Sequence, residues 1–377
     1  MIGIGGAVAL LLTARRQRYT ELALVHTDRD TTERRITELY TKAADQLGSD
    51  QAPVRLAGLY ALERLAHSTV EHRQTIVDVI CAYLRMPYTP PSMLGQSYRS
   101  PEPARRRRTR PLTSRESRQE RAEQEKQVRL TAQDILLRNL RVTTQRRRWW
   151  RHTPPPAPTW PGIRLNLTGA LLLEFSLTDC QLDSAVFRRA QFTGETHFLR
   201  VRFTHMADFS GAQFTDTVYF QGAQFINEAY FRGAQFTGEV DFNYAQFLSL
   251  TSFRGAQFTG AIGFRGAQFT GAVDFRVTQF TGMTDFTSAQ FTHHGAFFTY
   301  AQFTGRTNFT GAQFTSKGFP WGGPLTGSAD FGCARVASAA EPGNDWPPGW
   351  TTRPADPDNG EDPTFLYLTK AKESPDA

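Results

Sequence analysis

Residues 255–271 read GAQFTGAIGFRGAQFTG, and variants of this phrase fill more than a hundred consecutive residues. Phe209, Phe214, Phe220, Phe225, Phe231, Phe236, Phe242, Phe247, Phe253, Phe258, Phe264, Phe269, Phe275, Phe280, Phe286 and Phe291 alternate steps of five and six, so the unit is eleven residues, close to AQFTGxxDFxG. Upstream the period is a strict five, centred on Leu167, Leu172, Leu177, Leu182, Phe187 and Phe192. The mostly small residues Ala170, Phe175, Cys180, Ala185 and Ala190 lie two before the later centres. A helix spaces apolar residues three and four apart and disfavours the Gly and Thr of this run. Strands that pair with sequence neighbours alternate at two. Short, fixed self-similarity leaves a solenoid, in which each face turns a corner and the chain stacks on itself. The large residue then fills the axis, and Gly takes corner angles that other residues resist.

The stretch LNLTGALLLEFSLTDCQLDSAVFRRAQFTG resembles pentapeptide-repeat proteins, whose pattern is small, polar, Leu or Phe, polar, polar. The resemblance covers roughly residues 163–319 and implies a right-handed four-sided β-helix of about twenty residues per coil. With the helical region before it, the chain is expected to be α+β. The 5+6 alternation departs from the plain pattern and implies coils of 22 residues, with an extra corner residue on every second face. From residue 167 to residue 319 there are 29 faces. At four faces per coil these make about seven coils, a rod of ~34 Å at the ~4.8 Å strand spacing. The expected core includes Leu167, Leu172, Leu177, Leu182, Phe187, Phe192, Phe214, Phe236, Phe258 and Phe280. Each buried Phe contributes roughly 1.5–3 kcal/mol before chain entropy is set against it.

Coils of this length stack Gln213, Gln235, Gln257 and Gln279 in one ladder and Gln224, Gln246, Gln268 and Gln290 in another. Such ladders hydrogen-bond along the axis. At FTHHGAFFTYAQF, residues 291–303, the register gains one residue, as a local bulge would. His293 and His294 sit there and read as an exposed loop pair, the metal reading being the weaker one.

The net charge of +7 is unevenly spread. Residues 1–160 carry 28 Lys and Arg against 16 Asp and Glu, residues 161–320 carry 11 of each, and residues 321–377 carry 4 against 9. Cys81, Cys180 and Cys333 are far apart, which argues against a disulfide scaffold or a zinc site. The chain has no Gly-rich phosphate loop, metal-ligand spacing or nucleophile elbow, so no catalytic residue, cofactor or metal is expected. Some members of the resembled family present an acidic rod that imitates DNA before a type II topoisomerase. Here the stacked series Asp208, Tyr230, Ser252, Asp274 and Tyr219, Asp241, Gly263, Asp285 are interrupted, and Arg232, Arg254, Arg265 and Arg276 balance the acids. That disfavours mimicry.

Residues 1–18 hold an apolar run, 2–14, followed by Arg15, Arg16 and Arg18. As a helix the run spans about 20 Å, short of a ~30 Å bilayer core. Two readings stay open, a single membrane anchor with a cytoplasmic body and a packed or frayed helix. Residues 19–86 read as a helical hairpin, with apolar stripes Leu56, Leu59, Leu62, Leu65 and Ile76, Val77, Ile80, Leu84. The block resembles one HEAT-type repeat and the helical module that precedes the repeats in actinobacterial pentapeptide-repeat proteins. A Pro- and Arg-rich linker over 87–118, a helix over 119–141 and a basic, Pro-rich connector over 142–162 follow. Arg105, Arg106, Arg107, Arg108, Arg146, Arg147, Arg148 and Trp149 suit anionic lipid headgroups, nucleic acid or plain solvation, with nucleic acid the least favoured contact. Residues 320–377 are expected to cap the open coil edge and end in a disordered acidic tail. The chain therefore reads as a non-catalytic scaffold at the cytoplasmic face of the membrane, with a protein partner that the sequence leaves unidentified and an oligomeric state it leaves open.

Overall fold

The computed structural model describes residues 33–91, 114–142, 159–292, 295–315, 328–337, 346–347 and 349–371. They fall into two compact units, within 1–76 and 77–377.

In the first unit, helix α1 (33–47) is followed by α2 (Ala52–Ser68), which carries Pro53 in its first turn, where the missing N–H leaves nothing unsatisfied. Leu59, Leu62 and Leu65 of the expected stripe are buried with Ala43 and Leu47. Gly58 permits the crossing, since a Cβ there would lie 2.8 Å from the Ala43 carbonyl oxygen.

Helix α3 (Arg73–Arg85) belongs to the second unit from Val77 onward, and Val77, Ile80 and Leu84 are fully buried. Helix α4 (Ser114–Leu140) starts inside the expected linker and is 27 residues long. It buries Val128, Ala132, Ile135, Leu136 and Leu140. Its buried Arg129 donates to Glu125 at 2.9 Å and to the Leu84 and Met86 carbonyl oxygens at 2.9 and 2.6 Å. Arg129 thus joins α4 to the end of α3.

The solenoid has four parallel sheets, one per face, in about seven coils. Face one runs from Arg164–Asn166 to Ala296–Phe297, and face two from Leu171–Leu173 to Gln302–Phe303. Face three runs from Thr196–His197 to Ala329–Asp330, and face four from Gln181–Leu182 to Arg335–Ala337. Partners are 20 residues apart on faces one and two of the first coil, as in Arg164 with Ser184, 21 apart at Gln181 with Arg202, and 22 apart from Ala185 with Ala207 onward. The four-sided section survives the longer coil. The core residue changes with it from Leu to Phe. Across 291–303 all four faces pair 23 residues apart, for example Val273 with Ala296, and Thr307 with Ala329 returns to 22.

Leu167, Leu172, Leu177, Leu182, Phe187, Phe192, Phe214, Phe236, Phe258 and Phe280 are at most 1% exposed. The rings form columns. Phe192, Phe214, Phe236, Phe258, Phe280 and Phe303 stack with centroids 4.4, 4.6, 4.8, 5.3 and 4.5 Å apart, close to the coil rise. Between columns the rings meet edge to face, as at Phe209 and Phe220, 5.6 Å and 88°. Both geometries suit the aromatic quadrupole.

Each end of the solenoid is closed by a segment that does not repeat. At the first coil, Gln133 of α4 donates from Nε2 to the Leu173 carbonyl at 2.7 Å and accepts the Leu173 N–H at 3.1 Å. A side-chain amide there continues the ladder as a preceding strand would. The Val142 N–H donates to the Asp179 carbonyl at 2.9 Å, and the buried Trp160 donates its backbone N–H to the Asn139 carbonyl at 2.9 Å. The other end lies within residues 320–377. Coil strands continue to Ala337, and Phe365–Lys370 then pairs antiparallel with Arg335–Ala337 and with Trp350–Pro354. The Trp350 ring covers Phe331 at 4.9 Å and the Trp346 ring meets Phe314 at 5.8 Å. The strand FLYLTK, which buries the adjacent Tyr367 and Leu368, covers a sheet edge.

Candidate interaction surface

Much of the polar chemistry of the repeat is consumed by the fold. The hydroxyls of Thr215, Thr237, Thr259 and Thr281 donate to the carbonyl oxygens of Phe192, Phe214, Phe236 and Phe258 at 3.0–3.2 Å. The repeat acids close turns. Oδ1 of Asp208, Asp241, Asp274 and Asp285 accepts the N–H of Ser210, Asn243, Arg276 and Thr287 at 2.7–3.0 Å. Asn308 does the same for Thr310 at 2.9 Å, so the turn requires the oxygen and not the charge. Desolvation pushes the half-buried Asp241 carboxyl up, opposed by the Asn243 N–H. Asp274 pairs with Arg276 at 2.8 and 2.9 Å, and Asp208 pairs with Arg188.

Tyr230 and Ser252 separate Asp208 from Asp274 on face one, and Gly263 separates Asp241 from Asp285 on face three. No continuous acidic face results from either series. The two glutamine ladders stack as their spacing predicts, with amides 3.4 Å apart at Gln213–Gln235 and Gln246–Gln268, near the outer limit of a hydrogen bond. Gln213, Gln235, Gln257 and Gln279 on face two are exposed, whereas their counterparts on face four are half-buried.

Burial pushes the Cys81 and Cys180 thiols up to about 12, so both stay protonated and unreactive, while Cys333 is exposed. Asp179 is held below the usual carboxylate range by the hydrogen bonds of Arg200 at 2.7 and 3.0 Å, supported by Arg141 at 3.4 Å. Among the described residues, no three His, Cys, Asp or Glu side chains gather as metal ligands. Arg105, Arg106, Arg107, Arg108, Arg146, Arg147, Arg148, Trp149, His293 and His294 lie outside the described residues, as does the run 2–14.

Family models described as pentapeptide repeats match residues 163–194 and, in overlapping segments, 206–246, 220–268 and 264–313. The solenoid is a pentapeptide-repeat domain. No curated protein matches the chain.

Summing charge along the pentapeptide-repeat domain hides how its corners are charged. Arg188, Arg189, Arg232, Arg254 and Arg276 occupy the corner between faces one and two, all exposed. Glu174, Glu195, Asp216 and Glu239 occupy the corner between faces two and three, also exposed, and Arg306 follows in the same corner near its far end. The signal was present in the spacing: Arg232, Arg254 and Arg276 are 22 residues apart, and the acids are 21–23 apart. Among the described residues, the exposed large apolar side chains of the domain, Tyr244, Leu248, Leu250, Val277, Met283 and Tyr300, are spread over all four corners and form no patch.

Proposed function

We propose that the protein is a non-catalytic scaffold that displays the rigid faces of its pentapeptide-repeat domain to a protein partner, at the cytoplasmic side of the membrane. The observation that carries the scaffold reading is the use of the repeat's Thr and Asp side chains to close the fold, which leaves glutamine faces and charged corners for recognition. The membrane reading is supported by the apolar run 2–14 with Arg15, Arg16 and Arg18 behind it, and by the basic clusters at 105–108 and 146–149. Trp favours the membrane interface, and each basic residue there contributes about 1 kcal/mol. Among the described residues, no helix is long and apolar enough to cross a membrane. A topoisomerase-directed role would need continuous negative charge, and the stacked acids alternate with Tyr, Ser and Gly.

Fractionation of the tagged protein tests the membrane half. Retention on membranes through high salt and then alkaline carbonate is expected for an inserted run. Release by salt assigns attachment to the basic clusters instead, and a wholly soluble protein overturns the membrane reading. For the scaffold half, cross-linking in cells should capture one recurrent protein partner. Its loss is expected when face-two glutamines are replaced by Lys, and capture that is indifferent to such changes on every face refutes the reading.

A further inference from the structure

Face two presents Gln191, Gln213, Gln235, Gln257, Gln279 and Gln302, all exposed, between an arginine edge and an edge that is carboxylate from Glu174 to Glu239 and carries Arg306 beside Gln302. We infer that face two is a self-pairing surface, on which two copies of the protein pack face to face with their coils parallel. This goes beyond the scaffold reading and does not depend on it.

Both edges hold charges that the fold leaves unmatched. Arg188 and Arg276 are paired with Asp208 and Asp274, and Glu195 lies 3.6 Å from His197. Among the described residues, Arg189, Arg232 and Arg254 on one edge and Glu174, Asp216 and Glu239 on the other form no ion pair. Arg232 is held over the Tyr230 ring at 4.8 Å, with its Nε 3.2 Å from the Ser252 hydroxyl, which positions its charge without neutralising it.

The occupant follows from spacing and symmetry. Both rows advance with the coil, at ~4.8 Å per step. A second copy of this chain carries opposite charges at that same spacing. A face-to-face pair can be related by a two-fold axis along the coil axis or by one across it. An axis along the coil laps the arginine edge of each copy over the carboxylate edge of the other. An axis across the coil sets arginine against arginine and carboxylate against carboxylate. The segregation of charge therefore selects the parallel pair. The two rows overlap in the coils of Arg188, Arg189 and Glu195 and of Arg232 and Glu239. With glutamine between the edges and no apolar patch, the attraction is electrostatic, and salt weakens it as the screening length falls from about 10 Å at 0.1 M to about 3 Å at 1 M.

Sedimentation velocity of the full chain tests this. The wild type should dimerise at low salt and dissociate in 1 M salt. An acidic-edged variant, Arg189→Glu/Arg232→Glu/Arg254→Glu, and a basic-edged variant, Glu174→Lys/Glu195→Lys/Glu239→Lys, should each be monomeric, at least tenfold weaker in self-association. An equimolar mixture of the two should dimerise again, because the two-fold then matches opposite signs at both edges. All six positions are exposed, and circular dichroism confirms that the variants are folded. In a Cys333→Ser background, Gln213→Cys and Gln279→Cys should each form a disulfide with its own counterpart, since both lie off-centre and meet themselves only in a parallel pair. A monomeric wild type at low salt, dimers that persist in either variant, a mixture that stays monomeric, or a failure of both cysteine variants to cross-link overturns the proposal.

Discussion

Replacing Gln133 with Leu should loosen the first coil of the pentapeptide-repeat domain more than any comparable change on the surface of α4. The Gln133 side chain is 6% exposed and makes two hydrogen bonds to one residue, 2.7 Å to the Leu173 carbonyl and 3.1 Å from the Leu173 N–H. Leu173 lies in the terminal strand of the face-two sheet, and among the described residues its strand neighbour is on the other side. A leucine fills similar space and satisfies neither group. Each orphaned buried backbone group costs ~1–3 kcal/mol, so the variant should lose about 2–4 kcal/mol after local relaxation. At ~2–4 °C per kcal/mol for a domain of this size class, Tm should fall by roughly 5–15 °C. Gln133→Glu separates geometry from packing. Ionised, it presents a buried charge and an oxygen where the Leu173 carbonyl needs a donor; protonated, it regains that donor. Burial raises its folded pKa, so its stabilisation is present below the unfolded pKa and is lost as pH rises through the folded one. The Glu variant should therefore approach wild type near pH 4 and fall toward the Leu variant near pH 7. Circular dichroism melts report the first effect, and hydrogen exchange at the Leu173 amide the second. A Leu variant with unchanged Tm and an equally protected Leu173 amide would refute the view that a side chain continues the ladder.

Further outcomes follow from the corners and the acids. Gly260→Ala should cost about 1–3 kcal/mol or more, because its Cβ would lie 2.3 Å from the Gly238 carbonyl oxygen in the coil before. Gly255→Ala, at φ +67° with nothing within 4 Å, carries only the left-handed cost of ~1–2 kcal/mol, and a larger loss there than at Gly260 in urea midpoints would contradict the stacking argument. Val277 is a β-branched residue at φ 60° and 47% exposed, so Val277→Gly should raise Tm; a lower Tm counts against strain at that corner. Asp241→Asn should be at least as stable as wild type at pH 7, since Asn308 closes the same turn uncharged, whereas Asp241→Ala should lose about 1 kcal/mol. The raised Asp241 pKa means that the folded state takes up its proton first, so wild type should gain on the Asn variant as pH falls toward 4. Asp179 has the opposite sign: its depressed pKa contributes stability above its unfolded value that is lost as pH falls through the folded one. Asp179→Asn should flatten the acid limb of the Tm–pH profile below about pH 4, and an unchanged limb would sink the claim.

By itself the sequence determined the solenoid. Its contacts lie within one coil or between neighbouring coils, so a fixed period in the chain becomes a fixed position in space. The burial of Phe214 and Phe236, the stacking of Gln213 on Gln235 and the single-residue gain across 291–303 were all legible from spacing alone. The charged edges of face two were written at the same spacing, but a sum over residues 161–320 cancels them to zero, and only the four faces assign Arg232 and Glu239 to opposite sides of one sheet. The tertiary structure alone decided the ends. Gln133 meets Leu173 forty residues on, and the strand Phe365–Lys370 reaches back to Arg335–Ala337. Neither segment repeats, so no periodicity announces its partner. Each is chosen because a stack of parallel strands ends in unpaired N–H and C=O groups that something outside the repeat must satisfy.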